Sequence, residues 1–189
     1  MGLVLLAVLA LIVFWVIGAY NGLIALKNQV ANAWKQIDVQ LKRRHDLIPN
    51  LVNAVKGAME HERGTLEAVI NARNKAVSAQ GVAATAKAEG ELTAALGRLF
   101  ALSENYPQLK ATSNIQQLQE ELAGTENKVA FSRQLYNDVA TQFNTKQAQF
   151  PTNLIAGIAG ATPAELWQID EAAERAVPKV DFSAKPPPS

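Results

Sequence analysis

The first twenty residues contain an apolar run that is too long for an ordinary surface helix. Residues 2–20 read GLVLLAVLALIVFWVIGAY, without one charged side chain. As an α-helix with a rise of 1.5 Å per residue, this run extends about 28 Å, close to the roughly 30 Å hydrocarbon core of a bilayer. The run therefore predicts a transmembrane helix that carries a water-soluble domain.

Two other interpretations compete with this anchor. A cleaved signal peptide normally begins with a positive region and ends at a small-x-small site, whereas Met1 and Gly2 lead directly into the apolar run. A buried core helix would be shorter or amphipathic. We therefore favour a retained membrane span. The side chains expected in the bilayer include Leu3, Leu5, Leu6, Leu9, Leu11, Phe14, Trp15 and Ile17.

The charges that flank the span predict its orientation. The N-terminal side offers only the α-amino group, whereas five cations follow the span, namely Lys27, Lys35, Lys42, Arg43 and Arg44. Because positive flanks stay on the cytoplasmic side, we expect the N-terminus outside and the domain in the cytoplasm. The predicted location is the bacterial cytoplasmic membrane, crossed once.

Composition limits what the rest of the chain can be. Of 189 residues, 169 remain after the first 20, which is enough for one domain with its own core. A net charge of +1 gives no electrostatic reason to expect nucleic acid as a partner. The absence of cysteine excludes disulfides, thiolate metal sites and lipoprotein attachment.

Apolar residues recur at spacings of three and four, the near-heptad pattern of a bundle or coiled coil. The pattern predicts helices over residues 21–76, 84–104 and 113–149. The predicted fold is all-α: the transmembrane helix continues into an antiparallel, up-and-down bundle of about four helices, two of them long. Its domains would be an anchor over 1–20, a bundle over 21–177 and a disordered, proline-rich tail over 178–189.

Local signals predict how these helices begin and end. Pro49 predicts a kink or break near residues 45–49, since proline leaves the carbonyl four residues earlier without its donor. Small residues over 78–86 predict a turn. A capping box at Ser113-x-x-Gln116 would start the third predicted helix, and Pro151 would stop it. The helix lengths predict an extended link over 105–112.

The helix predicted over residues 113–149 has the most regular apolar seam. Its inward positions are predicted to be Ile115, Leu118, Leu122, Val129, Tyr136, Val139, Phe143 and Phe150, with Thr125 and Ser132 between them. Gly124 interrupts this helix at a cost of up to about 1 kcal/mol relative to alanine. We favour close packing of another backbone there over a binding groove. A last short helix is predicted from Thr162-Pro163-Ala164-Glu165.

Two long blocks resemble the LemA family. They are WKQIDVQLKRRHDLIPNLV over residues 34–52 and LQEELAGTEN over 118–127, and the resemblance covers nearly the whole chain. It implies a membrane-anchored helical bundle with its bulk in the cytoplasm, and it supplies no established enzymatic activity. The chain departs from the family's Phe-Gly-Phe-like cluster at 158–161, which reads Ile-Ala-Gly-Ala. Trp167 is expected to replace part of that aromatic packing.

The densest charge group near a seam contains Arg43, Arg44 and Asp46. These residues could bind a partner or anionic lipid. We favour an ion pair instead, in which Arg44 meets Glu121 or Glu126 across the bundle, because half-buried pairs of this kind fix helix register.

Asn137 and Asn144 lie seven residues apart and therefore share a helix face. We favour hydrogen bonds between helices as their role. A strip that binds an extended peptide is the alternative.

No catalytic or metal-binding pattern is visible in the sequence. A di-iron bundle needs Glu-x-x-His on two helices, whereas Lys42 precedes His45 by three residues and Ala58 precedes His61. Neither a nucleophilic triad nor a phosphate loop is present. We predict no catalytic residues, no metal and no cofactor.

These observations favour a non-enzymatic, membrane-anchored scaffold or adaptor that self-associates. The seam from Leu23 to Leu41 would be partly exposed on a lone helix, and a membrane raises the effective concentration of copies. Two alternatives remain, a lipid-organising or membrane-remodelling oligomer and a regulatory partner of a membrane protease or transporter. The expected partners are the lipid bilayer, further copies of the chain and an unknown protein.

Overall fold

The computed structural model describes residues 1–110 and 112–168, and this part of the chain is helical without strands. It contains α1 (Gly2–Lys56), α2 (Arg63–Ser78), α3 (Val82–Ser103), α4 (Pro107–Lys110), α5 (Ser113–Ala148) and α6 (Asn153–Ala156), with a 3-10 turn over Glu60–Glu62. The all-α class is confirmed. The predicted tail at 178–189 lies outside the described residues.

Three layers of core along α1 define the topology. Far from the anchor, the second half of α1 packs with the start of α2, the end of α3 and the start of α5. The middle layer joins Ile37 and Leu41 to Ala86 and Val129, and the layer nearest the anchor joins Leu23 to Phe143. Successive long helices therefore alternate in direction, which confirms the up-and-down bundle.

The first helix continues through Pro49, so of the predicted kink or break near residues 45–49 the break is wrong. Pro49 has no N–H for the carbonyl of His45. Arg73 Nε on α2 donates to that carbonyl at 3.2 Å and supplies the missing hydrogen bond. The chain leaves the α-helix only after Lys56 and turns over residues 57–62 into α2.

This early reversal changes the path of the later segments. Because α2 already runs back toward the anchor, α3 and α5 meet at the far end of the bundle and need no extended link. The link predicted as extended over 105–112 instead contains the helical turn α4, with Leu109 buried. Tyr106 donates a hydrogen bond from its hydroxyl to Glu62 Oε1 at 3.3 Å, which holds the link near the first turn.

Other predicted boundaries differ in outcome. The turn before α3 is confirmed over residues 79–81, and α5 ends at Ala148, just before Pro151. The capping box at Ser113 is wrong, because Thr112 occupies the N-cap position and makes no side-chain capping bond. The helix predicted from Thr162 is also wrong, since residues 161–168 are not helical.

The seam of α5 is buried as predicted except at two positions. Ala140 is buried where Val139 was expected, and Phe150 is 79% exposed because the helix ends before it. Thr125 and Ser132 are buried in the seam. Close packing at Gly124 is wrong, since a Cβ there would have no neighbour within 4 Å among the described residues.

The two halves of α1 have different surroundings. Leu23, Ile37 and Leu41 are buried inside the chain, so the exposed seam that favoured self-association is absent. The apolar run over residues 2–20 has no fully buried residue, and Leu3 and Phe14 are 85% and 73% exposed. This part of α1 is long and apolar enough to cross a membrane.

Candidate functional site

A buried charged cluster joins three helices in the middle of the bundle. Arg44 Nη1 donates to Glu89 Oε2 at 2.9 Å, and Arg44 Nη2 donates to Thr93 Oγ1 at 2.9 Å. The same Nη2 lies 2.7 Å from Glu126 Oε2, and His45 Nε2 lies 2.6 Å from Glu89 Oε1. Both oxygens of Glu89 are therefore partnered, and the cluster binds α1 to α3 and α5.

The cluster matches the sequence predictions in part. Of the two pairings predicted for Arg44, the structure contains the one with Glu126. Glu121 instead accepts a hydrogen bond from Gln117 Nε2 at 3.3 Å. Arg43 and Asp46 are exposed and lie outside the cluster.

The main partner, Glu89, was missed by the sequence reasoning. A signal existed, because Glu89 lies three residues before Leu92 and seven before Leu96, on the apolar stripe of α3. A charged residue at such a position must find a partner inside the bundle, since burying an unpaired charge is costly.

A second polar site lies on α5 and holds the chain's own C-terminal segment. Asn144 Nδ2 donates to the Ala164 carbonyl at 2.8 Å, and the Ala164 N–H donates to Asn144 Oδ1 at 2.7 Å. Asn137 makes the same pair with Trp167, at 3.0 and 2.8 Å. Each amide thus satisfies both backbone groups of one residue, and we call these contacts the asparagine clamp.

Aromatic packing completes this site. Trp167 is 4% exposed, and its ring lies 6.0 Å from that of Trp34 and 5.7 Å from the guanidinium carbon of Arg133. The Tyr136 hydroxyl donates to the Glu165 carbonyl at 2.7 Å. Burial, and secondarily the negative charge of Glu165, raises the pKa of Tyr136, so this donor stays protonated at neutral pH.

The clamp resolves the two roles proposed for Asn137 and Asn144. Among the described residues, their amides bond to the backbone of Ala164 and Trp167, and the favoured hydrogen bonds between helices are not seen there. The two asparagines bind an extended peptide, but that peptide is residues 164–167 of the same chain. The clamp also explains why the predicted helix from Thr162 does not form, because its backbone groups are already bonded to α5.

Neither polar site has the donor set of a metal centre. Within residues 1–110 and 112–168, no three His, Cys, Asp or Glu side chains are grouped to hold an ion. His45 is buried against Glu89, whereas His61 is exposed on the 3-10 turn.

A largely apolar groove opens beside the charged cluster. It has a volume of about 480 Å³ and runs between α3 and α5, lined by Leu96, Phe100 and Leu122. Arg44 and Glu126 line its polar end. The small residues Gly97 and Ala123 also line it.

An apolar helix that continues into a four-helix bundle, in which the charged cluster and the asparagine amides are bonded internally, defines a membrane-associated helical protein. The chain belongs to the LemA family, whose model matches residues 33–182.

Curated relatives agree with this assignment. Protein LemA of Metamycoplasma hominis is 30% identical over 145 residues, covering 76% of this chain and 66% of that protein. Magnetosome protein MamQ 2 of Paramagnetospirillum magneticum is 25% identical, over 79% of this chain and 64% of that protein. Magnetosome protein MamQ of Magnetospirillum gryphiswaldense is 23% identical, over 75% and 61%. The chain therefore spans just under two thirds of the length of these relatives, and none of their names denotes an enzymatic activity.

Proposed function

We propose that the protein is a non-enzymatic scaffold or adaptor that self-associates and presents its bundle from the bacterial cytoplasmic membrane. The observation that carries this proposal is the continuity of α1 over Gly2–Lys56. A helix that spans the membrane and also forms the core of the bundle fixes the position of the bundle relative to the bilayer.

The polar sites support a structural role. Catalysis needs a nucleophile or base that faces a substrate site. In the described residues, Glu89 is engaged by Arg44 and His45, and both asparagines are engaged by the clamp. These groups stabilise the bundle in one arrangement.

Self-association requires a surface other than the stalk seam, which is covered. The largely apolar groove between α3 and α5 offers such a surface. Confinement to one membrane raises the effective concentration of copies, so weak contacts suffice.

The test is the mass of the full chain in detergent and in lipid nanodiscs, measured by light scattering and mass photometry. We expect a small oligomer of defined size. A monomer under both conditions would contradict self-association. Large assemblies that also deform vesicles would favour the lipid-organising alternative, and co-purification with a membrane protease or transporter at fixed ratio would favour the regulatory one.

Orientation has a separate test. A reporter that works only in the cytoplasm should be active when it is fused after Ser189, and a reporter that works only outside should be inactive there. The reason is that the cations after the span favour the cytoplasmic side. Activity on the outside would contradict the proposed topology.

A further inference from the structure

The segment after α5 lies beside the membrane end of α1. Ile155 and Ala159 are buried against Leu23, and Val16 and Ala19 pack against the same cluster. Val16 and Ala19 belong to the apolar run of the anchor, and Val16 lies about 6 Å inside the end of that run at Tyr20. The segment therefore reaches the level at which α1 leaves the bilayer.

The outer side of this segment is also apolar. Phe150, Leu154 and Ile158 are 79%, 68% and 78% exposed. Ile155 and Ala159 on the inner side face α1, so the two sides of the turn are both hydrophobic. Three large apolar side chains exposed within nine residues indicate a contact surface rather than a surface that remains in water.

The charge distribution identifies the medium that covers this surface. No charged residue lies between Lys146 and Glu165, an uncharged run of eighteen residues that is the longest after Lys27. Lys146, in the last turn of α5, precedes the run, and Lys27 of α1 lies against it, where its Nζ donates to the Gly160 carbonyl at 3.0 Å. Apolar side chains flanked by lysines are typical of segments that lie in a membrane interface.

We infer that residues 150–160 form a lipid-contacting element that enters the leaflet beside α1, with Phe150, Leu154 and Ile158 among the acyl chains. The occupant is the bilayer because the exposed side chains are continuous with the anchor, which lipid already covers. The bundle thus contacts the membrane twice, through α1 and through this element. The inference depends on the anchor and is independent of the scaffold proposal.

The absence of cysteine from the native chain makes a direct test possible. Leu154→Cys and Ile158→Cys each give one thiol for the environment-sensitive label NBD. Phe131→Cys is the matched control, since Phe131 is 71% exposed but lies about 18 Å farther from the membrane end of the bundle than Phe143 does. The full-length variants are placed in nanodiscs of phosphatidylcholine and phosphatidylglycerol, which leave both faces open to aqueous reagents.

At positions 154 and 158 we expect blue-shifted emission, strong quenching by nitroxide-labelled lipids and reduction by dithionite that is several-fold slower than at position 131. Reduction at the rate of position 131 would overturn the inference. Protection from dithionite without quenching by nitroxide lipids would also overturn it, because a second copy of the chain would then be covering the segment. Near-UV circular dichroism verifies that each labelled variant retains its tertiary packing.

Discussion

Residues from two helices meet at the main-chain carbonyl of His45. In an unbroken helix the N–H of residue 49 would bond this carbonyl, but Pro49 has none. Arg73 donates to it from α2, in a place where His45 is 7% exposed. Arg73 thus replaces the hydrogen bond that Pro49 removes from α1 and attaches α2 to α1.

This arrangement predicts a coupling between Pro49 and Arg73. Arg73→Met should lower the free energy of unfolding by about 1–3 kcal/mol, because it leaves a buried acceptor without a donor. In a Pro49→Ala background the N–H of residue 49 bonds the carbonyl, so the same substitution should cost much less. Denaturant unfolding of the four proteins measures this coupling. Equal costs in both backgrounds would contradict it.

Glu89 is the second residue on which the bundle depends. Glu89→Ala should destabilise the protein by about 3–5 kcal/mol, because it leaves Arg44 buried with fewer counter-charges. Glu120→Ala is the control, since Glu120 is exposed on α5 and its loss should change the free energy of unfolding by about 0.5 kcal/mol or less. Similar losses in the two variants would show that the cluster is not a stabilising centre.

At the scale of elements, the asparagine clamp holds an extended segment against a helix. It does so through side-chain amides, and neither strand pairing nor helix–helix packing is involved. Its four hydrogen bonds involve the backbone of Ala164 and Trp167, while the Trp167 ring supplies the apolar contact. The clamp therefore closes the bundle over the middle part of α1.

Isosteric substitutions test the clamp. Asn137→Asp or Asn144→Asp removes an N–H donor and places a carboxylate oxygen against a carbonyl, so each should release residues 162–168. Gln142→Glu introduces the same charge at an exposed position on α5 and should leave the segment bound. Hydrogen exchange of the segment reports the release. Unchanged protection in both aspartate variants would contradict the clamp.

Elements with regular patterns could be predicted from sequence. The apolar period predicted α3 and most of the α5 seam, and the small residues predicted the turn at 79–81, because these features depend on local sequence. The passage of α1 through Pro49 could not be predicted, since the donor for the His45 carbonyl is Arg73 on another helix. The segment from Thr162 has local helix-start signals, but the side chains of Asn137 and Asn144 hold its backbone in another conformation.

For the molecule as a whole, α1 makes the membrane anchor and the bundle core one element. Gly22 lies between the apolar run and the bundle core, inside α1 and with helical residues on both sides. Core packing begins at Leu23, immediately after the apolar run. The bundle therefore has no free linker through which it could turn relative to the bilayer.

The distance between two spin labels on α1 tests this claim most directly. Labels at Val8→Cys and Val39→Cys occupy exposed positions on either side of Gly22 and should lie about 46 Å apart on one straight helix. Double electron–electron resonance in nanodiscs should give a narrow distribution near that distance. Inserting a flexible Gly-Ser stretch after Gly22 should broaden it. A broad or much shorter distribution without the insertion would show that the anchor is only a tether.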